Sequence, residues 1–189
     1  GSDLPLNIFE PRYLNMVADA MGSHRMFGML QPDASRPDQP EAVYCTGCAG
    51  RITTYQETPD GRIELILTGV CRFNIQQELA GTRGYRIVVP DWEPYRTDYV
   101  EPGMHSVEHR DRLIYLLKNY FNTTRLETDW KTVMRIPPDR LVNTLTTLLP
   151  LSGLEKQAIL EAVSPQERVD TLISALEMQV HEPPATPRH

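Results

Sequence analysis

Two short stretches carry residue types and spacings capable of chemistry: Cys45-Thr46-Gly47-Cys48 and His105-Ser106-Val107-Glu108-His109. A C-x-x-C pair can hand two thiolates to zinc or close a redox disulfide. Structural zinc usually takes a second such pair, and only Cys71 and scattered histidines remain here. A redox pair normally opens a helix that lowers a thiol pKa, whereas this one lies in a β-like run with a glycine inside it. Small residues packing in a strand are the preferred reading, since free cysteine acts as a small hydrophobe. H-x-x-E-H is the inverted zinc-protease pattern, in which two histidines one helical turn apart hold zinc and the glutamate activates water. Five residues meet such a pattern easily by chance, and this one follows Pro102-Gly103, where a helix begins and side chains are mostly solvated. A zinc hydrolase built on His105, Glu108 and His109 therefore stays a minor alternative, and no catalytic residue, metal or cofactor is expected.

Phosphate chemistry is equally unsupported. No G-x-x-x-x-G-K-[ST] loop occurs, and the only lysines are Lys118, Lys131 and Lys156, all in the second half of the chain. Carboxylates abound without a spacing that forces acid–base work, and Asp91 and Glu93 read as surface charges. The formal charge of −6 disfavours a large nucleic-acid interface. Arg62, Arg72, Arg83 and Arg86 fall among strand-like segments interrupted by Glu64 and Glu78, which reads as a solvated sheet face.

The 189 residues suffice for one sizeable core or two small ones, and 40% hydrophobic with 23% charged content is ordinary for a globular protein. No apolar stretch approaches the roughly 20 residues that span a bilayer. No secretory signal opens the chain and three cysteines leave one unpaired, so a reducing cytoplasm is the expected compartment.

The elements that must position these residues divide into a β-rich part and a helical part. Pro11 suits a first helical turn, and Leu14, Met16, Val17, Ala20 and Met21 give a helix over 11–21 its apolar face. Strand-like runs follow at 25–30, 43–56, 62–67, 70–79 and 85–92, several with one face buried by alternation. Thr58-Pro59-Asp60-Gly61 is turn chemistry and makes 51–67 a hairpin. The stretch 31–40, with three prolines, reads as a flexible loop of the kind that often binds.

The expected division is a β-rich lobe with one helix over 1–94, a linker over 95–104, a helical bundle over 105–180 and a disordered tail over 181–189. Leu113, Leu116, Leu117 and Tyr120 make one bundle face, and Leu141, Leu145, Leu148 and Leu149 another. Val169, Leu172, Ile173, Leu176 and Val180 mark the last helix. Ser152…Glu155 and Ser164…Glu167 are capping boxes.

The opening run Leu4-Pro5-Leu6-Asn7-Ile8-Phe9-Glu10-Pro11-Arg12-Tyr13-Leu14-Asn15-Met16-Val17 resembles the start of the Lon protease N-terminal, substrate-binding domain, which also occurs free-standing. Similar segments follow in order: Phe27-Gly28-Met29, Gly47-Cys48-Ala49-Gly50-Arg51-Ile52, Asp60-Gly61-Arg62, Gly69-Val70-Cys71-Arg72-Phe73, Asp129-Trp130, and Glu155 to Glu161. The resemblance covers nearly the whole chain and implies an α+β fold, a PUA-like pseudo-β-barrel followed by a helical bundle. It further implies a non-enzymatic domain for substrate recognition in protein quality control. The partners it implies are unfolded or damaged polypeptides, with a protease or another protein as second partner, and no nucleic acid or membrane. Phe9, Arg12, Tyr13, Phe27 and Met29, with the 32–40 loop, are the candidate peptide-binding surface, although Phe9 and Tyr13 read first as a lock between helix and barrel. An RNA-binding PUA-like module is the runner-up. Family members place a further apolar strand before the segment equivalent to Leu4–Tyr13, so the chain is expected to be truncated or incomplete at its start.

Overall fold

A computed structural model describes residues 2–39, 41–99, 110–124 and 128–181. Contacts divide the chain into two compact units, Gly1–Glu101 and Pro102–His189.

The first unit is an antiparallel sheet with one helix. Its strands are β1 (Asp3–Ile8), β2 (Met26–Pro32), β3 (Val43–Glu57), β4 (Ile63–Leu79) and β5 (Ile87–Asp91), and α1 (Pro11–Met21) lies between β1 and β2 in the chain. The order across the sheet is β1-β4-β3-β2, with β5 on the far half of β4. β3 and β4 form one long hairpin whose turn is held by Thr58 N–H to Arg62 O at 3.0 Å and Gly61 N–H to Thr58 O at 3.0 Å. Gly61 has φ +82°, the left-handed conformation that its lack of a Cβ makes easy.

The runs 62–67 and 70–79, expected as two strands, are one strand of 17 residues. Gly69 does not break it, because a register shift opposite Ala49 and Gly50 absorbs the irregularity. Ile63, Leu65 and Leu67 alternate inward as expected, and with Val17, Ala20 and Ile52 they form the core beneath α1. β5 lacks the expected buried face: Ile87 is exposed and Val88 and Val89 are both half-buried, at a sheet edge beyond a further register shift.

β1 occupies the outer edge of β4 only as far as Asp3 opposite Thr68, and β5 takes up that edge again at Asn74 opposite Asp91. Between them the edge is filled by side chains of a 3-10 helix, Glu93–Tyr99. The Arg72 N–H donates to Asp98 Oδ2 at 3.0 Å, and the Arg72 guanidinium grips both Asp98 oxygens, at 2.9 and 2.7 Å. The same guanidinium stacks 4.5 Å from the Tyr95 ring, and Tyr95 is itself buried. Arg72 is therefore 6% exposed, which corrects its expected place on a solvated sheet face. Two charges can be held there because fork-shaped hydrogen bonds and a ring face replace the lost water.

On β1, Gly69 N–H donates to Ser2 O, so ladder alternation turns the backbone of Leu4, Leu6 and Ile8 toward β4. Asp3, Pro5 and Asn7 face outward. Pro5 has no N–H, so this edge lacks its central donor, a common way of blunting an exposed strand.

The helices of the second unit are α2 (Arg110–Thr124), α3 (Trp130–Arg135), α4 (Pro138–Leu148), α5 (Gly153–Glu161) and α6 (Pro165–His181). Leu113, Leu116, Leu117, Tyr120, Leu141, Leu145, Leu149, Leu172 and Leu176 share one core. Leu148, expected on that face, is 74% exposed, because the chain leaves the helix at Leu149, whose extended backbone swings Leu149 inward instead. Both capping boxes form: Ser152 with Glu155, and Ser164 with Glu167, exchange their backbone-to-side-chain bonds. The expected tail beyond His181 lies outside the described residues, and no described helix is long and apolar enough to cross a membrane.

Removing Asp98 leaves the Arg72 charge buried among Tyr95 and Cys71. The Asp98→Ala variant is expected to lose about 3–5 kcal/mol of stability in urea unfolding. A loss below about 1 kcal/mol would show that the ion pair is dispensable.

Candidate functional site

The five residues proposed to bind peptide divide by burial. Tyr13 and Phe27 are half-buried and pack against the core under α1; of the pair expected to lock helix to barrel, Tyr13 is so placed and Phe9 is not, because it stands in the exposed turn between β1 and α1. Phe9 is 62% exposed and Met29 is 38% exposed. Glu10 caps α1 with extended backbone and leaves Phe9 outside the helix, and Pro11 then starts it. Phe27 and Met29 stand on the same face of β2, two residues apart, with one packed and the other open.

Arg12 marks where three segments meet. Its guanidinium lies 4.6 Å from the Tyr13 ring and bonds Glu10 at 2.9 Å. It also feels the charge of Glu41, just past the loop that follows β2. On the other side lies Gly84, where an added Cβ would stand 3.2 Å from Arg12 Cβ. The β4–β5 connection is bound to α1 there: Arg83 pairs with Asp19 and bonds Asn15, and the Tyr85 hydroxyl donates to Asp19 at 2.6 Å. Arg86 reaches both Glu78 and the Glu41 carbonyl. The first turn of α1, the loop after β2 and the β4–β5 connection thus converge on one surface.

That loop differs from its expected flexible form. Asp33 is buried and organises successive turns: Arg36 N–H bonds Asp33 O, Gln39 N–H bonds Arg36 O, and Ala42 O accepts from Asp33 N–H. The Asp33 carboxylate accepts from the Ser35 hydroxyl at 2.6 Å and its N–H at 3.0 Å, and pairs with Arg36. The Ser35 hydroxyl bond chiefly holds the Asp33 carboxyl below its ordinary range, against an opposing push from burial. The sequence signal was present, since Asp-x-Ser is a turn-forming pattern, but the prolines drew attention away from it.

The cysteines are placed as strand residues. Cys45 and Cys48 lie in β3, and Gly47 between them is required by packing: a Cβ there would stand 2.6 Å from Leu30 Cδ2 and from Met29 O. Burial pushes the thiols of Cys48 and Cys71 up, the opposite of what a nucleophile or metal ligand needs. Among the described residues no cluster of three or more His, Cys, Asp or Glu is arranged to hold a metal. His105, Glu108 and His109 lie outside the described residues. The four arginines considered for RNA each pair with a carboxylate: Arg62 with Asp60, Arg72 with Asp98, Arg83 with Asp19 and Arg86 with Glu78.

Comparison with known proteins gives a consistent result. The family model described as the ATP-dependent protease La (LON) substrate-binding domain matches residues 1–178. The Lon protease of Heliobacterium modesticaldum is 28% identical over 187 residues, covering 94% of this chain and 22% of that protein. The Lon protease of Elusimicrobium minutum is 23% identical, over 95% of this chain and 22% of its own length. The chain thus spans about a fifth of these relatives. The crystal structure of a Lon N-terminal domain protein from Xanthomonas campestris superposes with a TM-score of 0.65 at 23% identity, covering 92% of this chain and 89% of that one. The N-terminal domain of a Mycobacterium avium complex Lon protease gives 0.61 at 18% identity, over 95% and 91%. The fold is theirs, a β-sheet lobe followed by helices.

Two outcomes follow from this geometry. Because the folded Asp33 pKa is depressed, its contribution to stability is present above the ordinary carboxylate pKa of about 3.9 and disappears as pH falls through the lower folded value. Asp33→Asn is expected to lower the melting temperature at neutral pH, with the gap to the parent protein closing below about pH 4. An unchanged gap at acid pH would mean the carboxylate charge is not what holds the loop. In thiol titration with a disulfide reagent, Cys45 should react fast, and Cys48 and Cys71 only after unfolding; rapid oxidation of Cys45 to Cys48 would restore the redox reading.

Proposed function

The chain belongs to the ATP-dependent protease La (LON) substrate-binding domain family, and on that footing we propose that it binds unfolded or damaged polypeptide and does no chemistry of its own. The model it matches is that of a substrate-binding domain. One observation carries the reading to specific residues: Phe9 and Met29 expose large apolar side chains while Tyr13 and Phe27 are packed against the core. Exposed apolar side chains such as these, with the polar groups of Glu10 and Arg12 following Phe9 in the chain, suit an apolar polypeptide segment that a folded protein would hide. In a reducing cytoplasm the bound segment would pass to a protease or other partner.

Titration of denatured casein against the full chain is expected to show a micromolar Kd, about −8 kcal/mol, with no binding of a folded globular control. The Phe9→Ser/Met29→Ser double variant should weaken binding about tenfold with its fold intact, since Phe9 is largely in water and Met29 belongs to neither buried core cluster. Failure to bind denatured casein at about 100 μM, which leaves less than about −5.5 kcal/mol of affinity, would sink the proposal.

A further inference from the structure

Contacts along one side fasten α3 to α2. The Trp130 ring lies 5.6 Å from that of Phe121 and 5.7 Å from Lys118 Nζ, which sets the start of α3 beside the second half of α2. The Arg110 guanidinium donates to Ile136 O at 2.8 Å and Met134 O at 3.0 Å, which sets the end of α3 beside the start of α2. The two helices are therefore antiparallel neighbours. Trp130, Val133 and Ile136, spaced three apart, are the side chains that pack on the helical core. Helical geometry leaves Lys131, Met134 and Arg135 on the other face, and all three are exposed.

The charge on that face is of one sign. Lys131 and Arg135 stand one turn apart with Met134 beside them, and exposed Lys118 flanks the start of the helix. Among the described residues none of these three cations forms an ion pair, whereas in the first unit Arg62, Arg72, Arg83 and Arg86 each hold a carboxylate. Asp129 is turned into the helix, where its carboxylate accepts from the Lys131 N–H at 2.9 Å and the Thr132 hydroxyl at 2.6 Å. Arg110 covers the last carbonyls of α3, groups that would otherwise attract a cation. Most carboxylates of this unit's described residues stand on other helices, Glu155 and Glu161 on α5, and Glu167, Asp170 and Glu177 on α6.

Spacing and charge together select an occupant. Residues one helical turn apart have Cβ atoms about 6 Å apart, and an extended chain repeats same-side positions about every 7 Å, so carboxylates at alternate positions match Lys131 and Arg135. A nucleic acid would carry its charge on past the patch, against the −6 of the whole chain. A short acidic segment needs only the patch.

We propose that the outer face of α3 is an interaction surface for a short acidic polypeptide segment, with its carboxylates on Lys131 and Arg135 and an apolar side chain on Met134. This surface belongs to the second unit and is independent of the reading that assigns Phe9 and Met29 to polypeptide capture. Exposed ion pairs are weak and screened, so contact here is fast, reversible and sensitive to salt.

The test titrates the full chain against a fluorescent ten-residue peptide of alternating Asp and Leu at about 20 mM salt. A Kd of about 100 μM is expected, rising about tenfold by about 300 mM salt. Lys131→Gln and Arg135→Gln should each weaken binding about threefold and together about tenfold, with the helical circular-dichroism signal unchanged because both side chains are exposed. Lys156→Gln, on α5, should stay within about twofold, and a peptide with Lys in place of Asp should not bind. Three results would each overturn the proposal: no binding of the Asp peptide at about 1 mM, parent-like binding by all three Lys131 and Arg135 variants, or tighter binding of a ten-nucleotide single strand than of the peptide, which would make the patch a nucleic-acid contact.

Discussion

Nearly everything in the N-terminal unit is fastened to β4, and the governing constraint is that this strand's backbone must be satisfied along both edges. β3 covers one edge from Ile63 to Asn74. The other edge has two part-time occupants with a gap between them, and Asp98 closes the gap by offering a carboxylate to the Arg72 N–H where a neighbouring strand would offer a carbonyl. A buried amide without a partner costs about 1–3 kcal/mol, so the 3-10 helix is as much part of the sheet's bonding as any strand. Arg72 must then be buried with it, and Tyr95 must come over to cover the guanidinium.

What was legible in the sequence follows from this. Local signals gave the right elements wherever one face meets one core: the Pro11–Met21 helix matched its limits, both capping boxes formed, and the alternation of Ile63, Leu65 and Leu67 reported their burial. The miss at 62–79 came from treating Gly69 as a stop, when a register shift lets the strand run through it. The role of Arg72 was illegible for a deeper reason, since its partner sits 26 residues away in a segment whose composition suggested a bare connector. Leu148 fooled the helical pattern because the helix ends there and the periodicity ends with it.

The candidate surface was half legible. Apolar type alone could not separate Phe9 and Met29 from Tyr13 and Phe27, because the difference lies in how far each is covered by the core, which tertiary packing decides. The anchoring of the β4–β5 connection by Asp19 depends on a pairing between distant segments that no local pattern encodes, whereas Asp33 holds the loop after β2 through its near neighbours Ser35 and Arg36. Those pairings have a common effect. They fasten the loop after β2 on itself and the β4–β5 connection to α1.

The placement of the Arg72–Asp98 clasp also has a mechanical side. Asp98 lies almost at the end of the first unit, in the stretch of chain that continues into the second. Tension arriving along the chain from the C-terminal side meets a two-pronged ionic bond and a buried tyrosine before it reaches the hydrogen bonds of β5. A load applied there would be shared by the bonds of this clasp rather than falling first on the β5 ladder. The first unit is thereby moored close to the point where its chain leaves it.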